Sequence, residues 1–226
     1  MMPFTRSEVI AIAGALWLTA MSSHSLAADG RALATNGNGK GALPCAACHG
    51  AQGEGLPSAG FPRLDGLNGI YIRQQLDDFA DGKRANDIMR PIASALSPDE
   101  RQAVGTFYSR QTAAKAAEPT KADAAAISRG ATLATHGDWS KGLPGCNQCH
   151  GPDGQGVAGT FPKLAGQNAK YIAEQLKDWQ LGKRANDPLH LMTTVSAKLD
   201  DDAIAAVAAY YASLPTAPAS QQGSAQ

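Results

Sequence analysis

Cys45-Ala46-Ala47-Cys48-His49 and, further along, Cys146-Asn147-Gln148-Cys149-His150 spell one pattern twice. In each copy two thiols stand three positions apart, with an imidazole directly after the second. On one helical turn that spacing lets both sulfurs reach the vinyl groups at one porphyrin edge and aims the next side chain at the iron. Cys-x-x-Cys-His is the attachment pattern of c-type haem, which makes His49 and His150 the expected proximal ligands. Other cysteine chemistries fit less well. A redox dithiol belongs in a βαβ setting, and no alternating apolar run argues for a sheet here. A zinc site gathers four ligands, and each copy lacks the rest of its set. Two local disulfides, common in exported proteins, leave the histidines unexplained.

The duplication extends beyond the cysteines. Phe61-Pro62-Arg63-Leu64 matches Phe161-Pro162-Lys163-Leu164, and Gly82-Lys83-Arg84-Ala85-Asn86-Asp87 matches Gly182-Lys183-Arg184-Ala185-Asn186-Asp187, both at an offset of 100. Tyr71-Ile72 and Gln75-Leu76 recur at the same offset. It is 101 at the cysteines and 103 at Met89 and Met192. Two copies imply tandem domains rather than a solenoid. The boundaries read as 29–112 for the first domain, 113–126 for an Ala- and Lys-rich linker, 127–215 for the second domain and 216–226 for a disordered tail.

Each copy reads as all-helical. A short helix precedes the cysteines, a Gly-rich loop follows, and an amphipathic helix covers about 69–80 or 169–181. A loop carrying a methionine and a closing helix complete the copy. Ser97-Pro98-Asp99-Glu100 is a capping box with proline at the first helical position, and Asp200 is the matching N-cap. Aromatic residues are only 6% of the chain, a thin core for domains of this size. A buried haem in each would supply the missing apolar bulk.

The first 28 residues read as an export signal. Arg6 gives a positive start, the stretch from Val9 to Met21 is apolar, and Ser25-Leu26-Ala27 places cleavage after Ala27 or Ala28. The apolar run is short for a membrane span, which needs about 20 residues. No later stretch could cross a bilayer, so a periplasmic protein is expected. Lys and Arg total 20, as do Asp and Glu. Neither a basic excess nor a basic stripe points to nucleic acid.

Beyond the signal only Met89 and Met192 remain of the five methionines. They occupy matched places about forty residues past their histidines. Methionine is ordinary core filler, but one per repeat at matched positions points to the sixth iron ligand. His–Met ligation raises the potential and closes the iron to other ligands. His190, two residues before Met192, is a rival with no counterpart in the first copy. A proximal histidine donates its second N–H to a neighbouring acceptor, and the carbonyls of Pro62 and Pro162 are the candidates. Lys83, Arg84, Lys183 and Arg184 either neutralise haem propionates or end solvated helices.

On these residues the chain resembles the cytochrome c4 family of dihaem cytochromes. The resemblance rests on the twin Cys-x-x-Cys-His sites, Phe-Pro-x-Leu, the Gly-Lys-Arg segments and the late methionines. It implies two class I cytochrome c domains facing each other, each with one covalent haem c. Both irons would be His–Met ligated, and both prolines would hold the haem histidine. It also implies periplasmic transfer of electrons toward a terminal oxidase.

The function expected is therefore one-electron carriage in a respiratory chain, without catalysis by this chain itself. The partners would be an upstream quinol-oxidising complex and a terminal oxidase, with peripheral membrane association compatible. The alternative is a haem-bearing relay subunit of a dehydrogenase or oxidase complex. A dihaem peroxidase, which needs an iron that can open, ranks below both.

Overall fold

A computed structural model describes residues 28–112 and 123–216. All but the last residue of the expected signal, most of the linker and all but the first residue of the expected tail lie outside them. Among the described residues the chain is built from α-helices and short 3-10 turns, with no β-sheet. Extended pairing is limited to isolated bridges. In the first domain the helices are α1 (Gly30–Asn36), α2 (Ala46–His49), α3 (Gly69–Ala80), α4 (Met89–Ser94) and α5 (Pro98–Ser109). In the second they are α6 (Ala124–His136), α7 (Asn147–His150), α8 (Ala169–Gln180), α9 (Leu191–Ser196) and α10 (Asp201–Ser213). Residues 124–126, assigned above to the linker, form the first turn of α6.

The amphipathic helices form for local reasons. Asn68 caps α3 by accepting from the Ile70 N–H at 2.9 Å, and Asn168 caps α8 by accepting from the Lys170 N–H at 2.9 Å. Ile72, Leu76 and Phe79 fall at helical spacing on the buried face of α3, and Ile172 and Leu176 do so on α8. Gly82 and Gly182, with φ of 78° and 69°, turn the chain after each helix. The expected capping box opens α5: the Glu100 N–H donates to Ser97 Oγ at 3.2 Å and the Ser97 N–H to Glu100 Oε2 at 2.8 Å.

Terminal helices pack on each other within each copy, α1 on α5 and α6 on α10. Two glycines set the approach. A Cβ on Gly30 would press into the Ala103 carbonyl, and one on Gly130 into the Ala206 carbonyl. Each copy has its own core. The first gathers Leu33, Ile72, Leu76, Val104 and Tyr108. The second gathers Ile172, Leu176, Ile204, Val207 and Tyr211.

The methionines do not sit in loops. Met89 is the first residue of α4, and Met192 lies in the first turn of α9. The extra residues of the second copy form a 3-10 turn, Pro188–His190, in which Leu189 and His190 take positive φ of 60° and 54°. Ile88, before Met89, keeps right-handed helical geometry. The longer connection thus reaches the same helix through a tighter, left-handed entry.

Candidate cofactor sites

Each Cys-x-x-Cys-His segment forms one short helical turn, α2 or α7, as its spacing predicts. Gly50 and Gly151, at φ of 85° and 77°, end the turns. The carbonyls of His49 and His150 then accept from the N–H groups of Gly55 and Gly156, both at 2.7 Å. These loops hold the imidazoles inside the protein, and both histidines are buried. Nδ1 of His49 lies 2.9 Å from the Pro62 carbonyl oxygen, and Nδ1 of His150 lies 2.8 Å from that of Pro162. Burial pushes both imidazoles below their ordinary range, against the opposing pull of the proline carbonyls. Both rings are therefore neutral near pH 7, each with Nε2 available as a lone-pair donor.

A cavity faces each histidine. In the first domain it is lined by Cys45, Cys48, His49 and Met89, and its empty volume, mouth included, is about 1560 Å³. In the second it is lined by Cys146, Cys149, His150 and Met192, with about 1200 Å³. The fold thus brings the expected set of two thiols, one imidazole and one thioether to each cavity. His190 is exposed and lines neither cavity, as does His136. Burial raises the thiols of Cys45 and Cys146. A redox dithiol depends on a lowered thiol, so these environments suit covalent attachment better than disulfide exchange.

The cavity walls fit a large apolar group with an anionic edge. Most of the lining is aliphatic or aromatic. The indole N–H of Trp179 is buried beside the second cavity without a hydrogen-bond partner. Arg84 and Arg184, both buried, line the first and second cavities. Their guanidiniums form no ion pair with a carboxylate among the described residues. Their partners are neutral: Arg84 stacks 4.5 Å from the Phe79 ring centroid and Arg184 3.9 Å from that of Trp179. Asp178, which also lines the first cavity, acts on Arg84 through space without an ion pair; buried cations held by neutral contacts are costly, and haem propionates are groups of the required sign. Lys83 and Lys183, grouped with them in the sequence, are exposed.

Each domain also completes the other's site. Arg84 donates to the Tyr171 hydroxyl at 2.7 Å and to Gln175. Arg184 donates to the Tyr71 hydroxyl at 3.2 Å and to Gln75 at 3.0 Å. Burial alone would raise the Tyr171 phenol, but the two guanidiniums prevail and lower it. These cross-domain partners escaped the sequence reading. Their signal was the exact recurrence of Tyr71 and Gln75 as Tyr171 and Gln175 on otherwise apolar helix faces.

The comparisons with known proteins agree with this geometry. The cytochrome c family model matches residues 27–129 and again residues 127–215. The chain belongs to the cytochrome c family, as an electron-transfer protein with two tandem class I domains. It is a dihaem member related to two named groups. It is 45% identical over 195 residues, 86% of this chain and 90% of the other, to a thiosulfate dehydrogenase electron acceptor of Stutzerimonas stutzeri. It is 36% identical to a cytochrome c4 of Pseudomonas aeruginosa, covering 78% of this chain and 86% of that one. Among solved structures, a thiosulfate dehydrogenase (TsdBA) from Marichromatium purpuratum superposes with a TM-score of 0.77 at 40% identity. That match covers 82% of this chain and 40% of the longer one. Reduced cytochrome c4 from Pseudomonas stutzeri superposes with a TM-score of 0.69 at 34% identity, covering 76% and 93%. The resemblance to cytochrome c4 alone was therefore too narrow.

Proposed function

We propose that this protein is the dihaem electron acceptor of a dehydrogenase acting on a small sulfur oxyanion, with thiosulfate the first substrate to test. The observation that carries this reading is the 45% identity to a thiosulfate dehydrogenase electron acceptor across 86% of the chain. A second such acceptor, from Thiomonas intermedia, is 42% identical over 96% of the chain. The relay alternative thereby gains over free carriage toward a terminal oxidase. The cytochrome c4 relatives favour onward delivery to such an oxidase as the later step.

In this reading Cys45 and Cys48 hold one haem c covalently, and Cys146 and Cys149 hold the other. His49 and Met89 would hold the iron of the first domain, and His150 and Met192 that of the second. Haem iron, when bound, supplies a one-electron ferric–ferrous couple. The side chains around it set its potential and keep water out. The carbonyls of Pro62 and Pro162 orient the imidazoles. Arg84 and Arg184 neutralise propionates. Residues 1–28 serve as a cleaved export signal ahead of domains 29–112 and 124–215, for a protein of the periplasm.

The test is reduction of the oxidised holoprotein by a thiosulfate dehydrogenase supplied with thiosulfate. Full reduction of both haems, absent without the enzyme, supports the reading. Reduction by a quinol-oxidising complex but not by the dehydrogenase contradicts it and returns the protein to general respiratory carriage.

A further inference from the structure

The peptide unit joining Pro62 to Arg63 is held from both sides. Its carbonyl oxygen lies 2.9 Å from Nδ1 of His49. Its N–H donates at 2.9 Å to Oε1 of Gln167, a residue of the other domain. Nε2 of Gln167 donates back to the Arg63 carbonyl at 3.1 Å. The Asn168 N–H, also 2.9 Å from Oε1, fixes the amide orientation further. Gln167 is buried at 5% exposure, so water does not compete for these bonds.

A peptide whose N–H donates a hydrogen bond has a more negative carbonyl oxygen, and hydrogen bonds in such chains strengthen one another. The series runs from His49 Nδ1–H through the Pro62 carbonyl and the Arg63 N–H to Gln167. A stronger acceptor at Nδ1 makes an imidazole more basic toward its metal, which favours the ferric state. The repeat is broken at this point. The residue matching Gln167 in the first domain is Leu67, which has no acceptor.

We infer that Gln167 is a positioning residue for the first haem, acting across the domain boundary through the Pro62–Arg63 peptide to strengthen the His49 hydrogen bond and lower that haem's potential. The inference rests on His49 being an axial ligand. It is tested in the full-length holoprotein with Gln167→Leu, which installs the first domain's own residue, and with Gln167→Glu, which keeps the acceptor. Both variants lose the Nε2 donor, so simple loosening moves them in the same direction. Polarisation moves them in opposite directions.

The readout is the proton shift of His49 Nδ1–H in the reduced, diamagnetic protein, with His150 as internal reference. Gln167→Leu should move the His49 signal upfield and Gln167→Glu downfield, with His150 unmoved. In Gln167→Leu the reduced-to-oxidised ratio of the first haem at fixed potential should rise about three- to tenfold, tenfold being about 59 mV for one electron. Movement of His49 in the same direction in both variants, or no movement, overturns the inference. If Gln167→Leu fails to take up haem, the sign in Gln167→Glu decides alone. A wild-type protein without a haem-shifted signal from His49 instead overturns the ligand assignment beneath it.

Discussion

Arg84 and Arg184 face each other as an antiparallel bridge between the two copies. The Ala85 N–H donates to the Lys183 carbonyl at 2.8 Å, and the Ala185 N–H to the Lys83 carbonyl at 3.0 Å. The duplicated Gly-Lys-Arg segment thus pairs with its own repeat, and two buried cations meet where both cavities approach the seam. Removing one charge should favour the ferric state of the adjacent haem. Arg84→Met is expected to lower the first haem's potential by about 40 mV, the equivalent of about 1 kcal/mol at an effective dielectric near 20. Spectroelectrochemical titration of both haems checks it; an unchanged pair of midpoints removes Arg84 from the propionate role.

Met192 and His190 predict opposite spectra. Met192→Ala should abolish half of the sulfur-to-iron charge-transfer absorption of the oxidised protein and let one reduced haem bind carbon monoxide. His190→Ala should leave both properties unchanged, because His190 is exposed and outside the cavity lining. The reverse pattern would make His190 the ligand.

Gly30 and Gly130 predict matched instability. Each lets a terminal helix lie directly against the partner helix's backbone, so Gly30→Ala and Gly130→Ala must push the pairs apart. Overpacking of this kind costs about 1–3 kcal/mol. Each variant should lower the denaturation midpoint of its own domain in chemical unfolding. A gain in stability, as helix propensity alone would give, would contradict the close approach.

Ser97 and Glu100 make the cap of α5 pH-dependent. The Ser97 backbone N–H, donating to the Glu100 carboxylate, holds that carboxyl below its ordinary range. A lowered folded value means stability present above the unfolded value and lost as pH falls through the folded one. Ser97→Ala should cost about 0.5–2 kcal/mol at neutral pH through the lost cap. Glu100→Gln should cost less as the pH falls toward 3, measured as the shrinking difference in thermal midpoint from wild type.

The helices and their caps were readable because their signals are local. Ser97 and Asp200 lie next to the apolar periods they introduce, whereas the Asn68 and Asn168 caps emerged only with the structure. The cysteine–histidine turns were readable for the same reason. The seam was not. Arg84 and Lys83 are adjacent cations in the sequence, and only the tertiary bridge separates a buried guanidinium from an exposed ammonium. Gln167 was hidden because a single polar residue in a loop carries no period; its trace was a mismatch with Leu67. The methionines looked like loop residues because Pro91 and Pro188 interrupt the pattern, yet Pro91 sits within the first turn of α4, where it is tolerated.

The most direct test of the dihaem reading is the intact mass of the mature protein, purified from a host able to attach haem c. Two haem additions per chain are expected, falling to one when Cys45 and Cys48 or Cys146 and Cys149 are replaced by alanine. A wild-type mass with one addition or none would contradict the assignment of a covalent haem to each domain.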